Sequence, residues 1–224
     1  MEGGNAMNEK QKKLAIVFDF DGTIADGKLI MFDIVNSLSD EYGFEKLDLK
    51  DLSWLSDMGA RQFFIHLGVN IIKLPALVSE VKRKMFLRLD EIKPFFGIKD
   101  VILKLKQEGN IVGVLTSNTL ENAQKFLSSH DMNIFDFIYE SSSILSKSIA
   151  LRKMMKEQQL ENDQIIYIGD EIRDIKSCHK VDIKIISVAW GFNSKRSLKE
   201  NKPDYLVDKP DEILKICREY STAA

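Results

Sequence analysis

The sequence has little cysteine, no excess of basic residues and no long apolar run. Its two cysteines, Cys178 and Cys217, cannot form a disulfide framework, and it contains no Cys-x-x-Cys pair of a structural zinc site. Lys and Arg (32) are balanced by Asp and Glu (34), which argues against binding to a nucleic-acid backbone. No apolar run approaches the roughly 18 residues of a membrane span, and the start is too polar for a signal peptide. We therefore expect a soluble cytoplasmic protein without nucleic-acid or membrane partners.

The length sets the domain count. With 224 residues, of which 44% are apolar, the chain can form one large domain or one domain with a modest insertion. Residues 1–13 show no apolar period, so we expect a disordered N-terminal lead-in there.

Four short runs are apolar at nearly every position, which is typical of strands buried on both faces of a parallel sheet. Helical periods lie between these runs, as in the spacing of Ile98, Val101, Ile102 and Leu105. Alternating strands and helices predict an α/β fold, a doubly wound (Rossmann-like) parallel sheet. The four predicted strands are Leu14–Phe18, Ile111–Leu115, Ile165–Ile168 and Ile183–Val188.

A helical stretch interrupts this alternation after the first strand. Between about Asp26 and Lys93 we find only helical periods, entered in one case through Pro75. About 65 residues are too many for a crossover, and ligands of such sheets bind at the carboxyl ends of the strands. We therefore predict a helical cap domain over residues 27–93, inserted into an α/β core formed by 14–26 and 94–224.

Two aspartates directly follow the first predicted strand. In an extended chain Asp19 and Asp21 point to the same side, whereas Phe20 between them points into the core. Gly22 permits a turn with positive φ and lets backbone N–H groups approach an anion. Two carboxylates this close repel each other unless a cation lies between them, and Mg²⁺ prefers such oxygen ligands.

Further polar residues follow two other predicted strands. Asp170 ends the third run, and Asp174 lies four residues later, so both share a face if a helix begins there. The second run ends in Thr116 and Ser117, whose hydroxyls and backbone amides can hold an anion at a helix start. Lys147 also precedes a helical stretch, although by itself a lysine there indicates a solvated side chain.

In order along the chain, the segments DFDGTIAD, VLTSN, SKS and IGDEIRD resemble the four motifs of the haloacid dehalogenase (HAD) superfamily. The segment from Val188 to Ser194 and the segment from Pro203 to Asp208 resemble its phosphoglycolate phosphatase-like branch. The resemblance extends over about residues 14–215. It implies an Mg²⁺-dependent enzyme, a phosphoric monoester hydrolase that acts on a small phosphorylated metabolite.

The resemblance also implies a role for each matching residue. Asp19 is the expected nucleophile, which forms an aspartyl-phosphate, and Asp21 is the expected acid and base. The expected phosphate-binding residues, which contribute side chains or backbone amides, are Phe20, Asp21, Thr116, Ser117 and Lys147. The expected metal ligands are Asp19, Asp21 through its backbone carbonyl, Asp170, and Asp174 either directly or through water.

Within the family that the chain resembles, the presence of Asp21 favours a phosphatase over a dehalogenase. A halide leaves without a proton, and the dehalogenase branch lacks the second aspartate, whereas an alkoxide needs the proton that Asp21 can give. A sugar-phosphate phosphomutase and a pyrophosphatase on the same scaffold remain alternatives. A receiver-like signalling domain fits less well, because receivers have their phosphorylated aspartate on a later strand and no helical cap. A scaffold protein that keeps the pocket without turnover is a further alternative.

Two positions are left open by the sequence. Glu171 stands where relatives often carry Thr or Ser, and it can adjust the metal surroundings or favour the helix start. Arg61 can reach an acidic substrate or lie solvated on the cap surface. The patterns favour neither a monomer nor a homodimer.

Overall fold

The computed structural model describes residues 13–58, 60–141 and 147–223. Apart from Lys13, the predicted lead-in lies outside these residues, so its disorder stays a prediction. None of the helices in the described ranges is both long and apolar enough to pass through a membrane.

A six-stranded parallel sheet forms the centre of the molecule, with the strand order β5-β4-β1-β6-β7-β8. A separate antiparallel pair is formed by β2 and β3. The strands are β1 (Ala15–Phe18), β2 (Ala25–Asp26), β3 (Lys93–Pro94), β4 (Ile111–Thr116), β5 (Phe137–Glu140), β6 (Ile165–Gly169), β7 (Lys184–Val188) and β8 (Tyr205–Val207).

The strand order explains where a site can form. The chain moves outward from β1 through β4 to β5, then returns to β6 on the other side of β1 and continues to β8. Ala15 of β1 accordingly pairs with Ile111 of β4 on one side and with Ile165 of β6 on the other. The progression reverses between β1 and β6, and α/β sheets bind their ligands beyond the carboxyl ends of strands at such a point. The doubly wound parallel fold and its four predicted strands are confirmed.

Helices cover both faces of this sheet. Those that follow the insertion are α6 (Ile98–Gln107), α7 (Leu120–Ser129), α8 (Lys147–Gln158), α9 (Ile172–Val181), α10 (Lys195–Glu200) and α11 (Pro210–Ala223). The buried side chains of α6, α7 and α11 pack on one face, and those of α8, α9 and α10 pack on the other.

The alternation of side chains along β1 shows why the sheet needs both layers. Ile16 and Phe18 belong to the core on the first face, whereas Ala15 and Val17 belong to the core on the second. All four are fully buried. Each large apolar side chain removed from water contributes about 1.5–3 kcal/mol, so the strand is stable only when both of its faces are covered.

The chain between β2 and β3 is helical. It contains α1 (Lys28–Ser37), α2 (Ser39–Tyr42), α3 (Leu52–Leu55), α4 (Ala60–His66) and α5 (Leu74–Leu87), and we call residues 27–93 the helical insertion. Buried side chains of α1 and α5, such as Ile34 and Leu77, join the core of the first sheet face. The pairing of Asp26 with Lys93 brings the two ends of the insertion together.

Candidate active site

The turn after β1 places its two aspartates at the carboxyl edge of the sheet. Asp19 is 2% exposed, and its backbone N–H still continues the sheet by donating to the carbonyl of Ile168 (2.8 Å). The Phe20 ring points away into the core and packs edge-on against Phe126. The N–H of Phe20, an expected phosphate donor, here donates to Oδ1 of Asp19 (2.8 Å).

Lys147 joins two of the predicted acidic residues. It is the first residue of α8 and is 2% exposed. Its Nζ donates to Oδ2 of Asp19 (2.7 Å) and to Oδ1 of Asp174 (2.5 Å). A lysine that is solvated at the surface does not make such contacts, so this ammonium belongs to the site.

Asp170 and Asp174 stand at the end of β6 and in the first turn of α9. Both are fully buried. Asp170 accepts hydrogen bonds from the Thr23 hydroxyl (2.8 Å) and from the Phe192 N–H (2.7 Å). Asp174 accepts one from the N–H of Glu171 (3.0 Å), which satisfies a donor at the start of the helix.

Two glycines allow the backbone to approach Asp170 closely. Gly22 has φ of 81°, and a Cβ there would lie 2.2 Å from Oδ2 of Asp170. A Cβ at Gly191 would lie 2.3 Å from the same oxygen. Any side chain at either position would therefore displace the carboxylate.

The residues after β4 close another side of the site. Thr116 is fully buried, and its hydroxyl accepts a hydrogen bond from the N–H of Asn118 (2.9 Å). Asn118 in turn donates through Nδ2 to Oδ2 of Asp21 (3.2 Å). The Ser117 hydroxyl accepts from Arg173 (3.3 Å), and its carbonyl accepts from Lys82 of the helical insertion (2.8 Å).

Burial raises the pKa of three carboxyl groups, those of Asp19, Asp21 and Asp170. Burial, followed by the charge of Asp19, raises the pKa of Asp21 to about 6. Burial also raises the pKa of Asp19, although the charge of Lys147 opposes it. For Asp170, burial and the charges of Glu171, Asp19 and Asp174 raise the pKa well above its ordinary value. Burial alone would lower the pKa of Lys147, but the charges of Asp174 and Asp19 outweigh it and raise this pKa.

These shifts indicate that a cation fits the site. Asp19, Asp170 and Asp174 each offer a carboxylate oxygen, and the three oxygens lie within 4.8 Å of one another. Five carboxyl groups interact there with three cationic side chains, so negative charge is in excess. A donor set made only of oxygen suits a hard divalent ion such as Mg²⁺. The cationic side chains are those of Lys28, Lys147 and Arg173.

The structure thus brings the sequence-predicted residues Asp19, Asp21, Thr116, Ser117, Lys147, Asp170 and Asp174 to one edge of the sheet. It also places residues there that the sequence analysis did not assign. Arg173 pairs with Glu171 and reaches Ser117, and Thr23 and Asn118 each donate to a predicted aspartate. The sequence contains one signal for this ion pair, which is the position of Glu171 and Arg173 two residues apart at a helix start. The side chain of Arg61 lies outside the described part of the structure.

Comparisons with known proteins agree with this geometry. The model of the haloacid dehalogenase-like hydrolases matches residues 16–188. A phosphoglycolate phosphatase of Synechococcus elongatus is 29% identical over 201 residues, which cover 89% of this chain and 95% of that protein. A pyrophosphatase PpaX of Bacillus velezensis is 22% identical over 208 residues, with 90% and 95% covered.

A solved structure shares the fold. The crystal structure of a predicted phosphatase from Clostridium acetobutylicum superimposes with a TM-score of 0.80 at 24% identity and covers 92% of this chain and 99% of that one. The family match covers most of the chain. The fold of the chain and its buried acidic centre agree with that match. The chain therefore belongs to the haloacid dehalogenase-like hydrolase family, in which it is a phosphatase.

Proposed function

We propose that the protein is an Mg²⁺-dependent phosphatase that hydrolyses a small phosphorylated metabolite, a phosphomonoester of the phosphoglycolate kind. The observation that carries the proposal is the position of Asp19. Its buried carboxylate lies 2.7 Å from the Lys147 ammonium at the carboxyl edge of the sheet, two residues before an acid with a raised pKa.

In the first step, a carboxylate oxygen of Asp19 attacks phosphorus, and the bond from phosphorus to the ester oxygen breaks. The leaving alkoxide takes a proton from Asp21, whose pKa of about 6 leaves part of this group protonated near neutral pH. The products are an alcohol and an aspartyl-phosphate at Asp19.

In the second step, Asp21 acts as a base. Its carboxylate takes a proton from water, the oxygen of that water attacks phosphorus, and the bond to Asp19 breaks. Inorganic phosphate leaves and both carboxyl groups return to their starting states. The hydrogen bond from Asn118 to Oδ2 of Asp21 orients the carboxyl for both transfers.

The negative charge on the phosphoryl group must be balanced during both steps. Two unit charges 4 Å apart repel by about 4 kcal/mol at an effective dielectric constant near 20. Mg²⁺, held by Asp19, Asp170, Asp174 and the backbone carbonyl of Asp21, would supply positive charge next to the phosphoryl oxygens. Hydrogen bonds to those oxygens are assigned to the side chains of Lys147 and Thr116 and to the backbone amides near Phe20, Asp21 and Ser117.

We assign the helical insertion, residues 27–93, the role of a cap domain over the core 14–26 and 94–224. Its contact with the site is supported by the bond from Lys82 to the carbonyl of Ser117. A cap that excludes water and contacts the leaving group selects the substrate. A cytoplasmic location belongs to the same proposal, in keeping with the free thiols of Cys178 and Cys217.

A screen for phosphate release over a panel of metabolite esters tests the proposal. The panel contains phosphoglycolate, sugar phosphates and pyrophosphate, each with Mg²⁺ and again with excess EDTA. We expect stoichiometric phosphate from a small monoester, stopped by EDTA and restored by Mg²⁺. Preferential cleavage of pyrophosphate would favour the pyrophosphatase alternative, and an isomerised sugar without released phosphate would favour the phosphomutase.

A further inference from the structure

The loop after β7, residues 191–194, lies between the acidic centre and the helical insertion. On one side, the N–H of Phe192 donates to Oδ2 of Asp170. On the other side, the carbonyls of Gly191 and Phe192 accept from the Lys28 ammonium (3.0 and 3.2 Å) at the start of α1. The loop therefore contacts both a predicted metal ligand and the cap.

Asn193 in this loop bridges three separate segments. Its side-chain amide donates to the carbonyls of Ser56 (2.9 Å) and Met58 (2.9 Å) in the insertion. Its side-chain carbonyl accepts from the N–H of Ile172 (2.8 Å), the first residue of α9. Since one end of the amide meets two acceptors and the other meets a donor, only one orientation satisfies the contacts.

Neighbouring bonds attach the same stretch of the insertion to the loop. The N–H of Ser194 donates to the carbonyl of Ser56 (2.7 Å), and the Ser56 hydroxyl accepts from Lys28 (3.0 Å). Asp57 accepts from the Ser194 hydroxyl and pairs with Arg196. Residues 56–58 are thus attached to the core by polar contacts of defined geometry.

Asn193 is 4% exposed, and each of its bonds replaces one to water. Without it, the Ile172 N–H at the start of α9 and two carbonyls of the insertion lose a partner together. That helix start carries Asp174, which lies 2.5 Å from the Lys147 ammonium. A change in how the insertion contacts the core can therefore alter the acidic centre through the side chain of Asn193.

We propose that Asn193 is a positioning residue, which couples the attachment of residues 56–58 to the core with the position of the first turn of α9. Closure of the cap and alignment of Asp174 then occur together. The kinetic part of this inference rests on the proposed function, whereas the conformational part does not need turnover.

Asn193→Asp separates the two halves of the bridge. The carboxylate keeps an acceptor for the Ile172 N–H, favourable at a helix start, but it presents oxygen to the carbonyls of Ser56 and Met58.

The matched control is Asn162→Asp, because Asn162 donates to the carbonyl of Val181 (2.9 Å) at the other end of α9. For Asn193→Asp we expect KM to rise about tenfold with kcat within about twofold, since fewer molecules have the cap seated before binding. The control should change neither constant by more than about twofold.

Hydrogen exchange tests the coupling itself, with inorganic phosphate and Mg²⁺ as the probe. In the wild type, the probe should slow exchange in residues 52–58 and in residues 172–176. In Asn193→Asp the same probe concentration should slow exchange in residues 172–176 but should slow it less in residues 52–58. Equal protection of both segments in this variant, or kinetics equal to those of the control, would overturn the proposal.

A second variant covers the case in which Asn193→Asp does not fold. Asn193→Ser removes the repulsion but is too short to reach all three partners, so both segments should exchange faster and KM should rise. If both segments exchange at the wild-type rate in Asn193→Ser, the inference is wrong. If the wild type releases phosphate from no ester but the exchange pattern is as expected, the proposed function fails and the coupling stands.

Discussion

The Nζ of Lys147 lies 2.7 Å from Oδ2 of Asp19 and 2.5 Å from Oδ1 of Asp174, and none of these three side chains is more than 2% exposed. One ammonium thus holds together two carboxylates that come from the turn after β1 and from α9. Lys147 is therefore as much a part of the stability of this edge of the sheet as of its chemistry.

Replacement of this lysine by an apolar residue should reveal both roles. In Lys147→Met, the two buried carboxylates lose their cation, and such a loss costs about 3–5 kcal/mol in the free energy of unfolding. We expect this destabilisation in urea unfolding with EDTA present, together with loss of phosphate release. Lys153→Met is the matched control, because Lys153 lies on the same helix and is 68% exposed. Unchanged stability of Lys147→Met would contradict the role of the buried ion pairs.

Removal of the proposed nucleophile should abolish turnover without unfolding the protein. Asn has the size of Asp but does not attack phosphorus, so we expect Asp19→Asn to lower kcat by about 10⁴-fold or more. Phosphate release and a thermal melt measure the two effects. Asp100→Asn, an exposed change on α6, should keep wild-type turnover. Substantial activity of folded Asp19→Asn would remove the main support of the proposed mechanism.

The raised pKa values predict how stability depends on pH without metal. Burial raises the pKa of Asp21 from 3.8 to about 6, so the folded protein keeps a proton that the unfolded chain has already lost. Between these two values the free energy of unfolding should fall as pH rises, by about 3 kcal/mol for this group. Because the pKa of Asp170 is raised further, the decline should continue to higher pH.

A divalent cation should reverse this decline. With EDTA present, we expect a lower Tm at pH 8 than at pH 5, and Mg²⁺ should raise Tm more at pH 8, where the Asp21 carboxyl with its pKa of about 6 is ionised. Asp170→Asn should be more stable than the wild type in EDTA at pH 8 and should respond less to Mg²⁺. An equal Mg²⁺ effect at both pH values would argue against a site formed by these acids.

Gly22 should not tolerate a side chain. An added Cβ would lie 2.2 Å from Oδ2 of Asp170, so Gly22→Ala should displace that carboxylate and raise the Mg²⁺ concentration needed for activity by about tenfold or more. Gly109→Ala is the matched control, because Gly109 also has positive φ (85°) but no atom within 4 Å of the added Cβ. It should lose about 1 kcal/mol of stability and keep the Mg²⁺ dependence. A similar Mg²⁺ dependence in the two variants would contradict the steric explanation.

Much of this structure is predictable from the sequence where a pattern has one physical cause. The runs at β1 and β6 are apolar at successive positions because both faces of a central parallel strand are covered, and the predicted strands lie there. The helix from Ile98 to Gln107 agrees with its prediction because its buried side chains recur with a helical period. The convergence of Asp19 and Asp170 follows from the parallel order of the strands that precede them.

Other features depend on contacts that the sequence pattern does not contain. The edge strand β5 was not predicted, because Phe137, Ile138 and Tyr139 are only half-buried and its pattern lacks the signal of an inner strand. The bond from Asn118 to Asp21 joins residues 97 positions apart and depends on the direction of two side chains. The three-way contact of Asn193 is of the same kind.

The short antiparallel pair of β2 and β3 has a consequence for how such a protein can diversify. The main chain enters the insertion after Asp26 and returns at Lys93, and these two residues are paired directly. A replacement segment of any length therefore fits between them if its own termini meet at one strand spacing. Under the proposed cap role of the insertion, selectivity can then change by exchange of that segment, while β1 and the acidic residues at the sheet edge keep their positions.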